Sequence, residues 1–245
     1  MKLTFVGAGD AFGSGGRFNT CFHVAAPGTS FLIDCGASSL VALRRYEIDR
    51  DAIDTIFITH FHGDHFAGLP FFVLDARFVT ARRRPLTIVG PKGVEARFWL
   101  VMEALFHGAS SKAQAFDLHF REISGGQEMA IGDVRVTASE VVHGDPGGPC
   151  LGYRFEVDGR VIAYSGDTEW TDALIALGRG ADLMICECYL YDRPVRYHLN
   201  LKELEAHLPE MAPKRLILTH MSEDMLARTT VLGHETAADG KVVEI

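Results

Sequence analysis

Long apolar runs are missing from this 245-residue chain: none approaches the ~20 residues that a membrane-spanning helix needs. A helical membrane protein is therefore not expected. Cysteine is sparse, five residues at irregular spacing, and an odd, scattered set is not a disulfide framework. Reduced thiols and a cytoplasmic location follow. Cys186-x-Cys188 could hold a soft metal, an option set aside here by reading the two side chains as pointing to opposite faces of a strand. Positive charge is also short. Lys and Arg number 24 against 32 Asp and Glu, a net charge of −8, whereas nucleic-acid binders draw much of their affinity from Lys and Arg on phosphates. The only dense basic cluster is Arg82-Arg83-Arg84, read as a solvated turn, with an anion-binding role left open. Long nucleic acid is not an expected substrate. The first residues, Met1 to Gly7, are too short and too soon interrupted to read as a signal peptide. No linker or low-complexity tract breaks the chain, so residues 1–245 read as one domain.

The chemistry lies in Thr59-His60-Phe61-His62-Gly63-Asp64-His65, which follows the apolar run Ile53 to Ile58. A short apolar run bounded by polar residues reads as a buried strand, and open α/β sheets hold ligands at the C-terminal ends of their strands. Imidazole suits zinc, iron and copper, and a carboxylate adds a harder, negative donor. His60 and His62 can share one ion, while Asp64 and His65, past the small Gly63, can turn toward a second. A solvated polar loop is the weaker reading of so dense a cluster. Three more donors follow strand-like runs in the same manner: His143 after Val134 to Val142, Asp167 after Val161 to Tyr164, and His220 after Leu216 to Thr219.

Together these motifs resemble the five-motif set of the metallo-β-lactamase-fold hydrolases, over Thr4 to Ser222. The resemblance places His60, His62 and His143 on one metal and Asp64, His65 and His220 on another, with Asp167 bridging. Asp34, in Phe31-Leu32-Ile33-Asp34-Cys35-Gly36, matches the family's structural aspartate beneath the metal loop. The implied cofactors are two divalent ions, zinc foremost, with manganese or iron as alternatives. The α/β (α+β) fold implied is a four-layer αββα sandwich. A faint internal duplication agrees, because each half ends in an apolar strand delivering Thr-His, at Thr59-His60 and Thr219-His220. Asp158-Gly159 predicts a hairpin. Pro91–Phe106 and Leu201–Leu208 predict helices, the second capped by Asn200.

A bound divalent ion lowers the pKa of its water to about 7, so the expected reaction class is hydrolysis. Family departures narrow it. Lactamases proper lack a histidine at the place of His65 and carry cysteine at that of Asp167. Flavodiiron-type members carry glutamate at the place of His62. Leu86 to Gly93, and Glu187 followed by His198, resemble the ribonuclease Z-like branch, where that histidine contacts the scissile phosphate. Asp64, His198 and Glu187 are thus the candidate catalytic residues. The tRNA-processing enzymes carry a long arm between the motifs matched by His143 and Asp167. Here 24 positions separate the two, which leaves no room for it. The reading is a phosphodiesterase acting on a small anionic substrate, such as a cyclic nucleotide or other cyclic phosphate, rather than on tRNA. A lactone, thioester or sulfate-ester hydrolase of the same fold, or a non-catalytic metal sensor, stands as the alternative. A homodimer is compatible with the sequence and is not specified by it.

Overall fold

Strands buried on both faces read as continuous apolar runs, and the computed structural model turns the runs of this chain into two facing sheets. It describes residues 1–112, 115–144, 148–230 and 233–245. The first sheet runs in the order β14 (Val242–Glu244), β1 (Lys2–Gly7), β2 (Cys21–Ala26), β3 (Thr29–Ile33), β4 (Thr55–Phe57), β5 (Leu86–Gly90) and β6 (Leu118–Glu122). The second runs β13 (Glu235–Thr236), β12 (Leu216–Thr219), β11 (Leu183–Glu187), β10 (Arg160–Tyr164), β9 (Cys150–Val157), β8 (Val134–Val141) and β7 (Glu128–Ile131).

Successive side chains on a strand point to opposite faces, and the core partitions accordingly. Phe31 and Ile33 face the second sheet while Leu32, between them, faces helices. Phe57 faces inward and Ile56 and Ile58 outward. Phe57 packs on Phe155 of the opposite sheet with ring centroids 4.9 Å apart. Outside the first sheet lie α1 (Ser39–Arg45), α3 (Leu69–Phe78) and α4 (Val94–Leu105). Outside the second lie α5 (Ala173–Gly178), α6 (Leu201–Met211) and α7 (Glu223–Leu226). The layers are therefore αββα, as the sequence predicted.

Several local readings shift. Helix α4 begins at Val94 rather than Pro91, because Gly93 takes a left-handed φ of 91°. Helix α6 is capped by Asn200, whose Oδ1 accepts from Glu203 N at 3.0 Å, but it continues through Pro209 to Met211. A proline there removes one bond from the last turn only. Asp158 and Gly159, with φ of 53° and 69°, form the hairpin between β9 and β10. Cys186 and Cys188 do not diverge. Both pack in the helix-side core of the second sheet, because Cys188, one residue past β11, still donates its N–H to Thr219 O and keeps the strand's alternation.

Arg82 is no solvated turn residue. It is 1% exposed, and its guanidinium donates to the carbonyl oxygens of Arg50, Asp51, Ile53, Arg84 and Pro85. Arg84 pairs with Asp54. The basic cluster is largely spent on tying the β5 entry to the loop before β4. Among the described residues no helix is long and apolar enough to cross a membrane.

Candidate metal centre

The strand ends converge on one edge of the sandwich. Strand β4 leads to His60, β8 to His143, β10 to Asp167 and β12 to His220, and Leu151 N donates to Thr59 O across the two sheets at 3.0 Å. The link after β4 is not all loop. Gly63–Phe66 forms a one-turn helix, α2, with His62 at its N-cap, which rotates Asp64 and His65 away from His60 and His62. Gly36 packs under this turn, where a Cβ would lie 2.0 Å from Asp64 O. Gly166, at φ 61°, lets the Asp167 turn pass Leu151, whose carbonyl a Cβ would meet at 2.5 Å.

Two donor groups result, one of His60, His62 and His143, the other of Asp64, His65, Asp167 and His220. In the first, His143 Nε2 lies 3.0 Å from His62 Nδ1, and the His60 ring is 4.7 and 4.8 Å from those of His62 and His143. In the second, Asp64 Oδ2 and Asp167 Oδ2 each lie 3.2 Å from both His65 Nε2 and His220 Nε2, which are 3.4 Å apart. Ligands held about 2.0–2.2 Å from a tetrahedral ion stand roughly 3.3–3.6 Å from one another, so this spacing suits a divalent ion. Asp167 Oδ2 also lies 3.8 Å from His143 Nε2 and 4.0 Å from His60 Nε2, between the two groups.

Partners behind the rings fix which nitrogen faces the site. His65 donates Nδ1–H to Asp34 Oδ2 at 2.7 Å. Asp34, at φ 59°, also accepts from Thr59 N and Oγ1. Because that hydroxyl proton goes to Asp34, Thr59 Oγ1 accepts from His60 Nδ1 at 3.0 Å. His143 donates Nδ1–H to Tyr197 O at 2.8 Å. These are the outer partners that hold metal-binding imidazoles in one tautomer.

Charge points the same way. Burial keeps His60 well below its ordinary pKa, and burial lowers that of His143 to about 4, so both present lone pairs at neutral pH. Against the cost of burial, Asp167, Asp64 and Asp34 raise the pKa of His65, and Asp167 with Asp64 raises that of His220. Burial also opposes the Asp64 and Asp167 carboxylates, yet the neighbouring imidazoles hold both below the usual range. Positive charge is thus favoured in the second group, whether carried by protons or by a cation that displaces them. His60 Nε2 and Asp167 Oδ1 are buried with no hydrogen-bond partner among the described residues. Orphan donor atoms of this type, buried within the two donor groups, fit divalent metal.

His198 stands beside both groups. Its ring lies 4.7 Å from that of His143 and parallel to that of His220 at 5.6 Å. Nδ1–H donates to Glu187 Oε1 at 3.0 Å, and Glu187 also accepts Thr168 N. Although burial opposes it, the Glu187 carboxylate raises the His198 pKa to about 9. The sequence passed over Tyr189, whose ring lies 4.8 Å from that of His198, and Glu169, two residues past Asp167. Their nearness to named candidates was the only available signal. Of the 24-position interval between His143 and Asp167, residues 145–147 lie outside the described residues. The rest forms β9 and β10, with no arm among the described residues.

Known proteins resemble the chain in sequence and in fold. It is 28% identical to the ribonuclease Z of Methanothermobacter thermautotrophicus over 272 residues, covering 91% of this chain and 87% of the relative. The structure of the short form of human tRNase Z matches with a TM-score of 0.80 at 26% identity, over 100% of this chain and 99% of that one. A diphosphatase of the PhnP family matches with a TM-score of 0.77 at 22% identity, over 100% and 97%. Fold and donor set define a metallo-β-lactamase-fold, metal-dependent hydrolase of the ribonuclease Z-like branch. Within that class the chain belongs to the family described as Anti-Pycsar protein Apyc1, which it matches over residues 1–240.

Proposed function

We propose that the chain is a dinuclear-metal phosphodiesterase that hydrolyses a small or cyclic phosphodiester. His60, His62 and His143 would hold one ion, Asp64, His65 and His220 the other, and Asp167 both. When bound, such ions lower the pKa of water to about 7 and draw negative charge off phosphoryl oxygens. The rest falls to the chain. His198, only 20% exposed, donates Nδ1–H to Glu187, a contact that favours the protonated ring and so a second N–H, at Nε2, for a phosphate oxygen. Its Nδ1 bond to Glu187 is the observation that carries the reading, because it fixes the orientation of the ring beside the donor groups. An oriented donor of this kind stabilises the charge that builds in the transition state. Among the described residues no protein donor reaches Asp64 Oδ1, so this carboxylate oxygen can take a proton from the attacking water.

Ribonuclease Z, tRNase Z and diphosphatase all name chemistry at phosphorus, which supports the reaction class. Size is argued from the chain itself. The described part of the His143–Asp167 interval is a plain hairpin, the net charge is −8, and Arg82 is buried. Precursor tRNA should therefore be cleaved feebly. A panel of a chromogenic phosphodiester, a cyclic nucleotide, a precursor tRNA, a lactone, a thioester and a sulfate ester tests the assignment. Preference for the small phosphodiesters supports it. Efficient tRNA trailer removal, or turnover confined to the other esters, would replace it.

A further inference from the structure

We infer that Glu169 positions His143 and His198 together, by clamping the strained backbone of Tyr197 that joins them. The inference rests on the reading of those two histidines given above. Tyr197 has φ 69°, the left-handed region that bulky side chains avoid. Backbone in such a state persists only where its surroundings over-determine it. Its N–H donates to Glu169 Oε2 at 3.0 Å, and its carbonyl accepts His143 Nδ1–H at 2.8 Å. The next residue, His198, is held by Glu187. One peptide turn thus carries the carbonyl that orients a metal-facing imidazole and the attachment of the phosphate-facing one.

Glu169 is itself anchored on the His143 side. Its N–H donates to Val142 O at 2.9 Å, and Val142 N donates to Thr168 Oγ1 at 3.0 Å. The clamp therefore closes a ring: Val142 to Glu169 to Tyr197 to His143. If the carboxylate were lost, Tyr197 could relax toward negative φ, which would swing its carbonyl off His143 and carry His198 with it. The Tyr197 side chain has its own hold, since Arg196 Nη2 donates to Tyr197 Oη and its guanidinium lies 4.7 Å from the ring centroid. The competing account is that this ring, not Glu169, sets the backbone.

Three variants separate these accounts: Glu169→Ala, Glu169→Gln, which keeps an acceptor oxygen, and Tyr197→Gly, which keeps the peptide and suits the left-handed conformation. Nitrogen-15 NMR of the imidazoles in chelator-treated protein reports the His143 tautomer, and competition with a zinc-binding dye reports zinc affinity. Wild type, Glu169→Gln and Tyr197→Gly should hold His143 as the single Nδ1–H tautomer. Glu169→Ala should mix the tautomers and weaken zinc binding by ~10–100-fold, the usual cost of losing an outer partner. An unchanged tautomer and zinc affinity in Glu169→Ala would overturn the inference, as would equal losses in Glu169→Gln. Tautomer mixing in Tyr197→Gly would transfer the role to the ring and also overturn it. Should wild type take up no zinc, the metal reading would fall, and the tautomer measurement would still decide the clamp.

Discussion

His65 donates Nδ1–H to Asp34 Oδ2 at 2.7 Å, and both side chains are wholly buried. The contact joins the end of β3 to the turn after β4 and leaves His65 Nε2 facing Asp64, Asp167 and His220. Asp34→Ala should weaken zinc binding by ~10–100-fold while the fold survives. Asp34→Asn should lose less, because asparagine tolerates the left-handed φ of 59° and still offers an acceptor. Calorimetric zinc titration checks both, and equal affinity in wild type and Asp34→Ala would refute the orienting role.

His198→Ala should retain its metal but lower phosphodiester kcat by ~10²–10³-fold, as when an oxyanion donor is removed. KM should change little, because the contact strengthens as charge develops. His65→Ala should lose metal and activity together. Steady-state kinetics with elemental analysis of both variants is the check. Near-wild-type kcat in His198→Ala would remove that residue from the chemistry.

Arg82→Met should destabilise the fold by about 3 kcal/mol in urea denaturation. Five carbonyls lose their donor, each stranded one costs ~1–3 kcal/mol, and water recovers part of that. A loss below ~1 kcal/mol would mean that water replaces the guanidinium almost fully.

His23, on β2, sets a pH dependence away from the metal centre. Its Nε2 lies 2.9 Å from Ser30 Oγ, and burial, helped by Lys2, lowers its pKa from 6.5 to about 4. The fold refuses a proton that the unfolded chain accepts. This residue therefore costs nothing above pH 6.5, removes stability progressively as pH falls to about 4, and adds no further loss below. Melting curves of wild type and His23→Gln at matched metal should converge at pH 7 and separate, with the variant losing less, toward pH 4.5. Parallel pH profiles would contradict this.

Much of the layout was legible because strand ends and donor residues coincide in the sequence. Ile56-Phe57-Ile58 before Thr59-His60 and Leu216-Ile217-Leu218 before Thr219-His220 are apolar enough to bury both faces, so the donors past them had to emerge at a sheet edge. The two sheets and their outer helices followed from the same runs. What stayed hidden depends on backbone that no periodicity encodes. Nothing marks Tyr197 as left-handed, and Glu169 reaches it across 28 positions. The turn of helix at Gly63–Phe66 is too short to show a helical period. Arg82 looked solvated because a run of arginines says nothing of the carbonyls that loop around one of them. Cys186 and Cys188 are free and buried, as expected, but on a shared face rather than on opposite ones.

The central claim is that two ions, held by these side chains, hydrolyse a phosphodiester. The most direct measurement titrates zinc into chelator-treated protein and follows hydrolysis of bis(p-nitrophenyl) phosphate against the zinc bound per chain. The rate should rise to a plateau at about two ions per chain, in keeping with a site that clamps both the attacking and departing oxygens. A plateau at one ion, or no phosphodiester turnover at any occupancy, would contradict the account.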